Sequence, residues 1–200
     1  MGTMSEPDSC GANMVRIIGW MLLLICGCVL PMSVQAQAIR QADLFSFSVG
    51  YMDFDKTESH RESADFRFEY RWGTSLLPML QPSWQRWDHS VQVHPIFATE
   101  TTSRGALYGM GGLGMDLYMG PHGIFTWSEG VGLFYPGAMQ PMGSVIEFRS
   151  QAEVGWRFTD QTRLTLQASH ISNAHITGRN PGAEIAGIYL HVPLDTPHRY

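Results

Sequence analysis

Three residues near the C-terminus have the types that acyl-transfer chemistry requires: His170, Ser172 and Glu184. A hydroxyl is a weak nucleophile until a neighbouring base takes its proton. An imidazole does this best when a carboxylate fixes its tautomer and supports the imidazolium that forms. On an extended chain, His170 and Ser172 stand about 6.5–7 Å apart at their α-carbons, a span an imidazole can bridge. The polar connection that follows contains Asn173, Asn180 and several backbone amides, which are candidate donors to a tetrahedral oxyanion. Each residue also has an ordinary reading. A serine on a strand is polar filling, a histidine at a membrane interface replaces a girdle aromatic, and Asn180-Pro181-Gly182 is a turn signal. What sets these residues apart is that they share a phase.

That phase comes from the elements that position them. Leu164, Leu166 and Ala168 alternate with Arg163, Thr165 and Gln167, and His170 and Ser172 continue that face. Ala186, Ile188, Leu190 and Val192 alternate with Gly187, Tyr189 and His191, on the face that Glu184 begins and Leu194 ends. Period-two alternation marks β-strands. The same pattern runs through Phe45, Phe47, Val49 and Tyr51, through Ala64, Phe66, Phe68, Tyr70 and Trp72, and through Ile146, Phe148, Ala152, Val154, Trp156 and Phe158. About eight strands result, near 43–54, 62–72, 90–102, 105–118, 122–135, 143–158, 162–172 and 183–194, with Leu76–Asp88 as a connection. The fold expected is all-β, an eight-stranded antiparallel transmembrane β-barrel, because an even number closes and closure removes edges.

Aromatic residues gather near strand ends in the apolar series, and Arg and Glu occur together in the other. That pattern suits lipid outside and a polar lumen inside. The competing arrangement is a lipocalin-like soluble barrel with the apolar set within. Strands four and five are blurred by Gly109, Gly111, Gly112 and Gly114. Glu129 falls in phase with Phe125, Trp127, Val131 and Leu133, and marks either a bulge or a contact with a neighbouring protein.

Two hundred residues fit one domain. A net charge of −5 gives no basic face for nucleic acid, and a mean hydropathy near zero excludes a multi-helix membrane protein but not a barrel. Ile17–Leu30 is apolar and short for a transmembrane helix, and small residues follow at Val34 and Ala36. Residues 1–36 therefore read as a cleaved signal peptide and 37–200 as a single barrel domain. An uncleaved anchor and a lipoprotein site at Cys28 are the alternatives, and Met14 is a second candidate start. All three cysteines (Cys10, Cys26, Cys28) precede the cleavage point, so the mature chain is expected to lack disulfide and thiolate chemistry. The scattered His60, His89, His94 and His122 show no ligand spacing, and neither metal nor cofactor is expected.

An exported barrel begins at the periplasmic side, so its seventh-to-eighth connection faces out. If the apolar faces look into lipid, His170, Ser172 and Glu184 do too, at the outer-leaflet interface, where the natural substrate is a lipid ester. His170-x-Ser172-Asn173-Ala174, an Asn-containing turn and Glu184 before an apolar last strand together resemble the lipid A 3-O-deacylase (PagL) family of outer-membrane barrels. The resemblance is specific over about Gly155–Leu194. It implies hydrolysis of the ester-linked 3-hydroxyacyl chain at the 3-position of lipid A. It also implies Ser172 as nucleophile, His170 as base, Glu184 as orienting acid, and Asn180 with a backbone amide near His175 as the oxyanion pair. Asn173 is a structural contact or a further oxyanion donor. The chain departs from the family pattern at His175, where a glycine is familiar. The partners implied are lipopolysaccharide as substrate and the outer membrane as setting, with no nucleic acid and with a homodimer left open. Two other functions stay in view. One is a barrel esterase acting on phospholipid. The other is a non-enzymatic small barrel for adhesion or structure.

Overall fold

The computed structural model describes residues 41–53, 62–76 and 91–194. Eight antiparallel strands form one closed barrel: β1 Leu44–Met52, β2 Ser63–Arg71, β3 Val91–Thr102, β4 Leu107–Met119, β5 Gly123–Tyr135, β6 Ile146–Arg157, β7 Arg163–Ser172 and β8 Ala183–Pro193. β1 closes on β8, from Leu44 opposite Pro193 to Met52 opposite Ile185. Closure pairs the backbone all the way round, as lipid demands. The strands run from 9 to 13 residues, enough for a tilted crossing of a hydrocarbon layer, which takes about 9–11.

The sequence pattern starts the fourth and sixth strands at 105 and 143, ahead of the observed Leu107 and Ile146. Both early positions are glycines with positive φ, 75° at Gly105 and 97° at Gly143, a conformation no strand holds. The expected signal peptide, its cysteines and most of the Leu76–Asp88 connection lie outside the described residues.

The faces divide as their alternation predicts. Phe45, Phe47, Val49 and Tyr51 of β1, Leu164 and Leu166 of β7, and Ile188, Leu190 and Val192 of β8 point outward and are exposed, while Ser46, Ser48, Asp65, Arg67, Glu69 and Arg71 point inward and are buried. This inside-out distribution rules out the lipocalin-like arrangement. Buried charges must be paired to be tolerated, and these are. Arg67 donates to Glu100 at 2.7 Å, Arg163 donates to Asp116 at 2.7 Å, Arg149 bridges Glu100 (3.3 Å) and Glu69 (3.5 Å), and Arg71 bonds both Glu69 and Glu153.

The lumen is not polar throughout. Met52, Met139, Met142, Ile171, Ala183 and Ile185 belong to an apolar cluster towards the β7–β8 loop. Ile171, Ala183 and Ile185 point inward directly behind His170, Ser172 and Glu184. Their burial locks the strand phase that turns those three polar residues outward.

Candidate active site

Register decides which outward side chains meet. His170 of β7 lies opposite Glu184 of β8, and on its other side opposite Ser150 of β6, which lies opposite Glu129 of β5. A polar row, Glu129–Ser150–His170–Glu184, therefore crosses four strands at one level of the outer wall. Opposed residues on one face have β-carbons about 4.5–5.5 Å apart, close enough for every neighbouring pair to interact. Ser172 stands on the same face, one step nearer the loop, opposite Phe148.

His170 Nδ1 and Glu184 Oε1 are 2.8 Å apart. A carboxylate only accepts, so Nδ1 carries the hydrogen, and in the neutral ring Nε2 is then the nitrogen that can take a proton. The His170 side chain is 49% exposed, so it can be reached from the wall. Gly182 makes room for the ring. A β-carbon there would stand 2.8 Å from His170 Cε1, and its φ of 66° already favours glycine. The Ser172 hydroxyl makes no hydrogen bond among the described residues. In unliganded sites such contacts commonly form only when substrate is bound.

The connection after β7 is organised by Asn173, which is fully buried. Its amide nitrogen donates to Met142 O at 3.1 Å, Thr177 Oγ1 at 3.2 Å and Arg179 O at 2.8 Å. Those acceptors fix this loop to the β5–β6 loop and occupy the amide nitrogen. Asn173 N–H in turn donates to Asn180 Oδ1 at 2.9 Å, which orients the Asn180 amide with its nitrogen outward. Asn180 Nδ2 lies 3.2 Å from His175 Nδ1.

Ala174 and His175 have φ of 50° and 61°, and Ile176 N–H donates to Asn173 O at 3.0 Å. This is a type I′ turn built without glycine. A glycine would suit position 175 for a backbone reason, and histidine there holds a conformation that costs on the order of 1 kcal/mol.

Sequence reasoning passed over Ser150 and left Glu129 without an account. The β5–β6 register is unbroken from Gly123 opposite Trp156 to Leu133 opposite Ile146, so Glu129 marks no bulge. Instead its Oε1 accepts from Trp127 Nε1 at 2.9 Å and its Oε2 from Ser150 Oγ at 2.7 Å. The available signal was phase, since Ser150 interrupts the apolar series between Phe148 and Ala152 as Glu129 interrupts its own. Just inboard, Ala152, Ala168 and Ala186 form a row of small residues between Trp127 and Tyr51. They open a depression of about 270 Å³ bordered by Trp127, Ser150, His170 and Glu184.

A family model described as lipid A 3-O-deacylase (PagL) matches residues 44–193. Among solved structures, the crystal structure of the outer membrane enzyme PagL superposes with a TM-score of 0.62 at 18% identity, covering 76% of this chain and 99% of that one. A de novo designed transmembrane β-barrel covers the same share of this chain and 95% of its own, at 11% identity and a TM-score of 0.49. The Yersinia pestis outer membrane protein Ail matches at 12% identity and 0.39, covering 76% of this chain and 100% of its own. No curated protein sequence matches the chain.

Proposed function

The chain belongs to the lipid A 3-O-deacylase (PagL) family of outer-membrane β-barrel hydrolases, and we propose that it releases the 3-hydroxyacyl chain from the 3-position of lipid A through Ser172, His170 and Glu184. The observation that carries the assignment of roles is the 2.8 Å His170–Glu184 bond on the outward face, with Ser172 in phase beside it. Ser172 Oγ attacks the ester carbonyl carbon, and its proton passes to His170 Nε2. Glu184 holds the imidazolium through Nδ1–H. The tetrahedral oxyanion accepts hydrogen bonds from Asn180 Nδ2 and from the backbone N–H at His175. Collapse breaks the bond to the sugar oxygen, which takes the proton from His170. Water then attacks the acyl-Ser172 ester with His170 as base, releasing the 3-hydroxy fatty acid and restoring the hydroxyl.

The site faces the outer leaflet. Both ends of the barrel chain, Leu44 and Pro193, lie at the same rim, which an exported barrel leaves on the periplasmic side. The β7–β8 loop is at the other rim. Its substrate approaches along the wall and not through the lumen, which Arg67, Arg71 and Arg149 fill.

Mass spectrometry of lipid A from cells making the protein tests this reading. Loss of one hydroxyacyl chain is expected, and retention of that chain in cells making Ser172→Ala. Intact lipid A with phospholipid deacylation would assign the barrel to a different ester. Undiminished deacylation by Ser172→Ala would remove Ser172 from its role.

A further inference from the structure

We infer that Ser150 and Glu129 form an acceptor site that recognises the hydroxyl group on the acyl chain and so selects hydroxylated chains. The inference rests on the acyl-transfer roles proposed for Ser172 and His170, and concerns residues outside that set.

A carboxylate facing lipid is destabilising unless something engages it. Glu129 has two protein donors, Trp127 Nε1 and Ser150 Oγ, whereas a carboxylate has about four acceptor positions. Two therefore remain open on the wall. Ser150 has committed its one proton to Glu129, so what its oxygen offers a ligand is lone pairs. A proton donated to Ser150 Oγ is in effect donated to a chain ending in a negative charge, which makes it a strong acceptor. The site takes donors and gives none.

Its position says which donor. Ser150 is the direct cross-strand neighbour of His170 on the side away from Glu184. The scissile carbonyl must lie at Ser172, one step nearer the loop. The sugar belongs at the loop rim and the hydrocarbon belongs inboard, where Ala152, Ala168 and Ala186 leave the wall recessed. An acyl chain running from Ser172 to that recess crosses the Glu129–Ser150–His170 level within its first few carbons. A 3-hydroxyacyl chain carries a hydroxyl two carbons beyond the carbonyl, at the level where the acceptors wait. An unsubstituted chain brings only methylenes there and leaves the acceptors desolvated and unpaired. A site built to bond a hydroxyl discriminates strongly against its absence for this reason.

The test uses the purified full-length barrel in detergent and two glucosamine 3-O-esters that differ only in the acyl 3-hydroxyl. The quantity read is the ratio of kcat/KM for the hydroxylated over the plain ester, which is independent of the folded fraction. The parent is expected to favour the hydroxylated ester about 10- to 100-fold. In Glu129→Leu and in Ser150→Ala that ratio is expected to fall by about tenfold or more. A ratio unchanged in both variants, or a parent with no preference, overturns the inference and leaves the reading of Ser172 standing. If both variants lower the two esters equally, the acceptors serve the sugar, and selection by the acyl hydroxyl is equally overturned. Ser172→Ala is expected to be inert on both esters; parent-level turnover by it would overturn the catalytic reading and this inference together.

Discussion

Among its described residues the barrel contains two Ser–His–Glu sets, one in the lumen and one on the wall. In the lumen, Ser46 Oγ is 2.7 Å from His191 Nδ1, and His191 Nε2 is 3.1 Å from Glu153 Oε2. On the wall, His170 has its carboxylate at 2.8 Å and its serine stands alongside without a bond. Judged by contacts alone, the lumen set is the more complete. It is also fully buried, with Thr165 Oγ1 3.1 Å from His191 Nε2 and the Tyr189 ring stacked 5.0 Å away. Glu153 is shared there with Arg71. Each polar atom of the set has a resident partner, and the burial of all three side chains leaves no path for an ester. The wall set has what the lumen set lacks: a free imidazole nitrogen, a recess beside it, and a loop with an oriented amide. Chemistry is located by the contacts a constellation leaves unmade as much as by those it makes.

The widest test of this contrast is the same pair of substitutions in both places. Ser172→Ala or His170→Asn is expected to lower release of 3-hydroxy fatty acid by about 10³-fold or more. The unfolding midpoint in urea should hardly move, because both side chains are outside the packed lumen. Ser46→Ala and His191→Asn are expected to do the reverse. Activity stays within about threefold of the parent, while stability falls by roughly 1–3 kcal/mol, since each leaves a buried polar partner unsatisfied. Loss of activity in a folded His191→Asn barrel would break the contrast.

The second test addresses the loop. Asn180→Ala removes the amide that Asn173 N–H orients, and is expected to cost about 10²–10³-fold in kcat with little change in KM, because the oxyanion exists only along the reaction path. A change confined to KM would make Asn180 a ground-state contact.

The two sets also differ in how legible they were. Strand number, order and phase could be read because lipid outside and paired charges inside impose strict alternation, and His170, Ser172 and Glu184 share that phase. The row they belong to could not be read. It depends on register between strands, and nothing in the β5 or β6 sequence alone shows that Glu129 lies opposite Ser150 and Ser150 opposite His170. Phase places a residue on a face, and only pairing gives it neighbours. The lumen set was hidden for the same reason, since Ser46, His191 and Glu153 come from three strands far apart in sequence. The role of Gly182 was hidden differently: a turn glycine is expected after Asn180-Pro181, and its contact with the His170 ring is a matter of tertiary approach.

That approach gives a third test, intermediate in size. Gly182→Ala places a β-carbon 2.8 Å from His170 Cε1 at a φ of 66°. The ring must shift off Glu184 or the loop must move. A misplacement of this kind is expected to lower kcat by about 10- to 100-fold. Parent-like activity would show that the imidazole tolerates a different seat.

The smallest effect is expected at His175, and its smallness is informative. The residue stands in a left-handed conformation and its ring touches Asn180 Nδ2, so two roles are conceivable, one for the backbone and one for the ring. If the backbone N–H is what matters, His175→Gly keeps it, relieves the positive φ, and adds freedom to the unfolded chain. The last two nearly cancel, for a stability change under about 1 kcal/mol. Activity should then stay within about threefold, because Asn180 remains oriented through Asn173. A loss beyond tenfold in a stably folded His175→Gly barrel would instead make the ring a positioning group for Asn180. It would add a fifth side chain to the wall site, beside Ser172, His170, Glu184 and Asn180.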